Sequence, residues 1–169
     1  MSESRDHPAA CTVEQLWAEC ELRRLRRSGP GGQHRNKVET AINLHHRPTG
    51  VRAEASERRS QAQNRAVALF RLRVNLALEV RRPCGADYAP SPLWQSRCGT
   101  LKVSASHDDF PALLAEALDV LAAFDAEPKP SAAVLGCTPS QLIRLLQIDP
   151  HALTLVNRWR SEGKRHPLR

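Results

Sequence analysis

Hydrophobic positions along this chain repeat with two different periods. Thr12-x-x-Gln15 has the form of a helix-starting capping box, and Val13, Leu16, Trp17 and Cys20 follow at helical spacing. That predicts a short helix over 13–20 whose apolar stripe is a packing face. Residues 21–27 (Glu-Leu-Arg-Arg-Leu-Arg-Arg) read as a strand feeding the segment that follows. Residues 40–46 alternate, with Ile42 and Leu44 on one face and Asn43 and His45 on the other. Arg47-Pro48-Thr49-Gly50 is a turn, and Val51, Ala53 and Ala55 then alternate with Arg52 and Glu54. Together these residues predict a β-hairpin.

From Ser60 the period changes. Ser60-Gln61-Ala62-Gln63 is a second capping box, and no glycine or proline occurs from there to Val80. A helix of about 20 residues, roughly 30 Å long, is expected. Ala66, Leu69, Phe70, Val74, Ala77 and Val80 are expected to face the sheet, with Asn64, Arg65, Arg71 and Arg73 on or beside the opposite face. Pro83 to Lys102 is linker-like, tacked down by Trp94 and Leu101. Asp108 is expected to cap a helix over 109–124 that buries Phe110, Leu113, Leu114, Ala117, Val120, Leu121 and Phe124. Residues 131–169 read as a compact helical module. Thr138-Pro139-Ser140-Gln141 and Asp149-Pro150 start its helices, and Gly163 stops the last. The expected division is a disordered 1–11, a first domain at 12–82, a linker plus amphipathic helix at 83–130, and a small helix-turn-helix-like module at 131–169.

Charge changes the picture. The 169 residues carry net +7, but residues 21–82 alone carry fifteen basic and five acidic side chains. An excess concentrated there, mostly arginine, suggests a polyphosphate partner. The five cysteines have no Cys-x-x-Cys spacing, so neither a disulfide framework nor a zinc site is expected, and reduced thiols fit a cytoplasmic protein. His45 and His46 would point to opposite faces of a strand, a poor arrangement for a metal. No apolar run reaches about 18 residues, so no membrane span is expected. No cofactor is expected either.

One stretch has no hydrophobic side chain at all: Arg26-Arg27-Ser28-Gly29-Pro30-Gly31-Gly32-Gln33-His34-Arg35-Asn36, up to Lys37. Its glycines let the backbone approach another molecule closely. A single helical turn is expected over 34–39. This run, the hairpin with Pro48-Thr49-Gly50, and Glu57-Arg58-Arg59-Ser60-Gln61 with Asn64 together resemble the catalytic domain of peptide-chain release factors, a family that includes codon-independent ribosome-rescue hydrolases. The resemblance covers about residues 21–80.

The resemblance implies an α+β fold: a β-α-β-β-α catalytic domain, here followed by an all-α C-terminal region. It implies entry into the peptidyl-transferase centre of the large ribosomal subunit and hydrolysis of the ester bond of peptidyl-tRNA. Gly31, Gly32 and Gln33 are then the catalytic residues. A glutamine amide does not titrate, so Gln33 is no general base; it positions water, or offers its backbone N–H to a developing oxyanion. Arg26, Arg27, His34, Arg35, Asn36, Lys37, Arg58, Arg59, Gln61 and Arg65 are the expected RNA contacts. Position 35 is arginine where the family usually has an apolar residue. Expected partners are rRNA of the large subunit, peptidyl-tRNA, mRNA, and a methyltransferase acting on Gln33 as in some release factors. The chain is expected to be a monomer.

About twenty residues precede the first strand, so stop-codon reading is not expected. The related rescue hydrolases often end in a long basic tail, whereas residues 83–169 carry nine basic and nine acidic side chains and look folded. In the helix-turn-helix-like module, Gln141, Arg144, Arg158, Arg160, Lys164 and Arg165 are candidate nucleic-acid contacts. Two other readings are a non-catalytic factor that docks on rRNA or tRNA, and a DNA-binding regulator led by residues 131–169.

Overall fold

The structure, a computed structural model, describes residues 7–25, 41–85 and 87–169. Among them it is a mixed fold with one three-stranded antiparallel sheet and seven α-helices. It divides into two units: Cys11–Leu76, and Ala77–Arg169 together with the N-terminal stretch up to Ala10.

In the first unit, α1 (Val13–Glu19) begins at the predicted capping box. Thr12 accepts from the Gln15 backbone N–H, and the Gln15 side chain accepts in return from Thr12 N–H. The sheet runs β1 (Cys20–Leu25), β2 (Ala41–His46), β3 (Arg52–Ala55), in that order. Leu22 pairs with Leu44, and Leu44 with Ala53; Ile42 pairs with Ala55. Ile42, Leu44, Ala53 and Ala55 are buried, so the predicted alternation sets this face inward. Gly50 closes the hairpin turn at φ +77°, a conformation that favours glycine.

Helix α2 (Gln61–Glu79) lies along the edge strand, where Arg71 donates to Glu54 O and Asn75 to Arg52 O. Those bonds cover part of an otherwise open sheet edge. Its buried stripe is only partly the predicted one, sharing Leu69 and Ala77 with it. Asn64, Ala68, Leu69, Leu72, Leu76 and Ala77 are buried, while Ala66 is exposed and Phe70, Val74 and Val80 are half-buried. The helix is rotated because Asn64 turns inward onto backbone groups, not outward.

The second unit is built on α4 (Phe110–Ala123), which packs against a 3-10 turn at Pro8–Ala10 and against α5 (Pro128–Leu135), α6 (Pro139–Gln147) and α7 (Pro150–Glu162). The predicted apolar face of α4 is buried except for Phe124, which is half-buried. Its N-cap is Asp109 and not Asp108, and Asp109 makes no side-chain cap because its carboxylate pairs with Arg97. Residues 8–10, expected to be disordered, have Pro8 and Ala9 buried. The linker-like passage contains a further helix, α3 (Pro92–Arg97), capped by Ser91, and its Trp94 is fully buried with Nε1 donating to Leu135 O at 2.8 Å. Helix α6 has the complete capping box predicted for it. No helix among the described residues is long and apolar enough to cross a membrane.

Candidate nucleic-acid interface

The register of the sheet decides what stands at each of its ends. Leu25, the last residue of β1, pairs with Ala41, the first of β2. Ile42 pairs with Ala55, the last residue of β3. The chain therefore leaves β1, enters β2 and leaves β3 at one end of the sheet. The segment 26–40 is rooted there, and so is the bend at 56–60 that carries Arg58 and Arg59 into α2. Gly31, Gly32, Gln33, Arg26, Arg27, His34, Arg35, Asn36 and Lys37, with the helical turn expected at 34–39, lie outside the described residues.

The opposite end is tied down. Arg47 in the hairpin turn donates to Glu19 O and Ala18 O, two carbonyls at the C-terminus of α1 that lack helical partners. His46 is buried, with Nδ1 2.7 Å from Thr49 Oγ1 and Nε2 2.9 Å from Glu19 Oε2. His45 points to the other face, as predicted, beside Glu21 at 3.7 Å.

At the loop-bearing end the cations are less engaged. Arg24, Arg58, Arg59 and Arg65 are exposed, and none makes an ion pair among the described residues. The acid of this end, Glu57, accepts from Ser56 N–H at 2.9 Å and pairs with Arg71 at 2.6 Å. Backbone N–H groups of Glu57 and Ser56, then Arg71, hold its carboxyl below the usual range, so it stays ionised but neutralised by its partner. Among the described residues at this end, Arg24, Arg58, Arg59 and Arg65 outnumber Glu54 and Glu57, an excess that favours a polyanion.

The bend itself is held by Asn64. Its Oδ1 accepts from Arg58 N–H and its Nδ2 donates to Arg58 O, both at 2.9 Å. The amide thus pairs both backbone groups of one residue and fixes where Arg58 starts. Ser60 caps weakly, its Oγ 3.5 Å from Gln63 N. Gln61 is half-buried at the first position of α2. Arg65, one turn further, has its guanidinium carbon 4.1 Å from the centre of the Trp17 ring. Sequence reasoning missed Arg24 and the role of Trp17 under Arg65. The signal for Arg24 was its place next to the end of the strand that leads into residues 26–40.

The candidates in the helical unit are not brought together. Arg160 is buried, donates to Ala126 O and His166 O at 2.7 Å each, and lies 3.6 Å from Glu127. The expectation that it reaches nucleic acid is corrected: it staples the C-terminal residues to α7. Arg165 pairs with Glu127 at 2.5 Å and donates to Asp125 O. Gln141 completes its capping box and donates to Gly99 O at 3.3 Å, so its amide does not face outward as expected. Arg144, Arg158 and Lys164 are exposed. A groove of about 610 Å³ lies between the end of α2 and α7, lined by Arg81, His151, Arg158 and Trp159 among others. Arg81 is paired there with Asp119 at 3.2 Å. The described residues hold no cluster of metal-ligating side chains.

Residues 11–85 match the family model of the RF-1 domain, the catalytic domain of peptide-chain release factors. The residues that carry the resemblance, from Arg26 to Lys37, through the hairpin and to the Arg-Ser-Gln helix start, fall inside the matched segment.

Proposed function

We propose that the RF-1 domain of this chain hydrolyses peptidyl-tRNA on stalled ribosomes without reading a stop codon. The reaction adds water across the ester between the nascent peptide and the tRNA. Gly31 and Gly32 let the loop backbone approach the tRNA end. Gln33 orients the attacking water and offers an N–H to the developing oxyanion. Arg26, Arg27, His34, Arg35, Asn36 and Lys37 on the loop, and Arg58, Arg59, Gln61 and Arg65 beside it, hold rRNA and tRNA. Arg144, Arg158 and Lys164 are secondary contacts for rRNA or mRNA, and Gln33 is the site at which a methyltransferase acts.

The observation that carries this reading is the sheet register. It roots the loop and the Arg58–Arg59 bend at one end of the same three strands. In the helical unit Gln141, Arg160 and Arg165 are engaged internally, which favours the basic end of the sheet as the RNA surface. The test is peptide release from purified ribosomes carrying peptidyl-tRNA, with an empty A site and no stop codon. Gln33→Ala is expected to abolish release while ribosome binding persists. Release by that variant at the wild-type rate would refute the catalytic role, and release by the wild type only at stop codons would refute codon independence.

A further inference from the structure

The pairing of Trp17 with Arg65 joins two elements that the release reading treats separately. Trp17 stands on α1 and is half-buried, and Arg65 stands on the second turn of α2 and is exposed. The guanidinium carbon lies 4.1 Å from the ring centre, well inside the range of a cation–π contact. Glu14 lies one turn before Trp17 on α1, yet no carboxylate among the described residues pairs with Arg65. The side chain is therefore held by a ring and not neutralised by an acid. A guanidinium over an indole keeps N–H donors at its rim, and those donors fit the oxygens of a phosphate. An arginine free in water must give up rotamer freedom when it grips such a group; one already held gives up less.

We propose that Trp17 is a positioning residue that holds Arg65 as a preformed contact for an RNA phosphate. The phosphate lies beside those met by Arg58 and Arg59, which stand less than two helical turns away in sequence. The inference rests on the ribosomal reading above but concerns binding, not turnover. Trp17 touches no reacting atom, so its removal changes the concentration at which ribosomes are engaged and leaves the saturated rate alone.

The test uses the full chain and purified ribosomes. Equilibrium binding is measured between about 50 and 200 mM salt, and release is measured at rising ribosome concentration. Arg65→Ala is expected to weaken binding and to reduce the salt slope by roughly 0.7 to 1, the loss of one phosphate contact. Trp17→Leu is expected to lower the slope in the same direction although it removes no charge, and Trp17→Phe to restore it. The double variant Trp17→Leu/Arg65→Ala binds no worse than Arg65→Ala alone, and kcat at saturation is unchanged in Trp17→Leu. Fully additive losses, an unchanged slope in Trp17→Leu, or no effect of Arg65→Ala would each overturn the proposal. Arg65→Ala changes only an exposed side chain, so its result stands even if Trp17→Leu folds poorly. Failure of the wild type to release peptide would remove the catalytic reading, while the binding measurements would still decide the role of Trp17.

Discussion

Asn64→Ala is the perturbation that separates architecture from chemistry at the loop-bearing end. Asn64 is fully buried, and both ends of its amide are committed to Arg58, at 2.9 Å each. A neutral hydrogen bond contributes about 1 kcal/mol net, so losing two costs about 2 kcal/mol. Two corrections act in opposite directions. Arg58 is exposed, so water re-solvates part of its freed backbone, which lowers the cost. The truncation also leaves a small void in a packed stripe, which raises it. A net loss of about 2 kcal/mol corresponds to a fall of roughly 4 to 8 °C in Tm for a chain of this size. Urea denaturation followed by circular dichroism gives the loss, and amide hydrogen exchange gives its location. The Arg58 N–H should lose protection while amides of β2 change only as much as global stability does. Asn64→Asp keeps an acceptor for Arg58 N–H but sets a carboxylate against Arg58 O, so it should lose at least as much as Asn64→Ala. A loss below about 0.5 kcal/mol, or an Arg58 amide that stays protected in Asn64→Ala, would refute this account of the bend.

Two buried groups in the helical unit set opposing pH dependences. Burial raises Asp119 to about 6, against the pull of the Arg82 backbone N–H and Arg81. The folded state then keeps a proton that the unfolded chain releases, so this group makes stability fall as pH rises from about 4 to 6, by at most about 3 kcal/mol. Burial lowers His7 to about 4, so the unfolded chain takes a proton the folded state refuses, and this group makes stability rise with pH from about 4 to 6.5. Urea midpoints across that range should therefore gain a more positive pH slope in Asp119→Asn and a more negative one in His7→Gln; slopes moving together would refute the assignment. Arg160→Leu should cost about 2 to 3 kcal/mol, because it leaves Ala126 O and His166 O without their donor, and should leave ribosome binding of the folded protein unchanged. A binding loss without a stability loss would return Arg160 to the interface.

Where the sequence carried a local signal, it located the elements well. The boxes at Thr12 and Thr138, the Asp149-Pro150 start and the Pro48–Gly50 turn each specify backbone geometry within four residues, and the structure has those elements there. Helix α3 carried a similar signal, Ser91 followed by Pro92, hidden in a stretch read as linker for its prolines and glycines. The phase of α2 was less legible. Its alanines, leucines and valines fall on several faces, so apolar pattern alone admits more than one stripe. What fixes the phase is a polar residue, Asn64, whose partners are backbone groups six residues back. Gln141, Arg160 and Arg165 were misjudged for a related reason. Their partners, Gly99, Ala126, Glu127 and Asp125, lie 33 to 42 residues away along the chain except where the C-terminal turn adds His166. A cation at the end of a helix looks outward until the fold supplies a carbonyl.

The polar end of the sheet owes its geometry to contacts that are not polar. The stretch from Arg26 to Lys37 has no hydrophobic side chain with which to anchor itself by burial, and joining strand ends across fifteen residues costs little more in entropy than across fewer. Its position must come from its ends. Those ends are fixed by six paired residues of β1 and β2. A slip of one residue would turn Leu44 and Ile42 out of the core, so the register is held by buried apolar area. Arg47 and His46 add a second restraint at the far end, where they bind α1 to the hairpin. The Arg58 bend is fixed in turn by the buried Asn64 amide, and Arg65 by the Trp17 ring. Arg58 and Arg65 at the exposed end are thus placed by neighbours that are themselves buried or half-buried. It follows that sensitivity to substitution should not be confined to the loop: a change such as Leu44→Ala, remote from any RNA, loosens the register and with it the roots of the segment at 26–40.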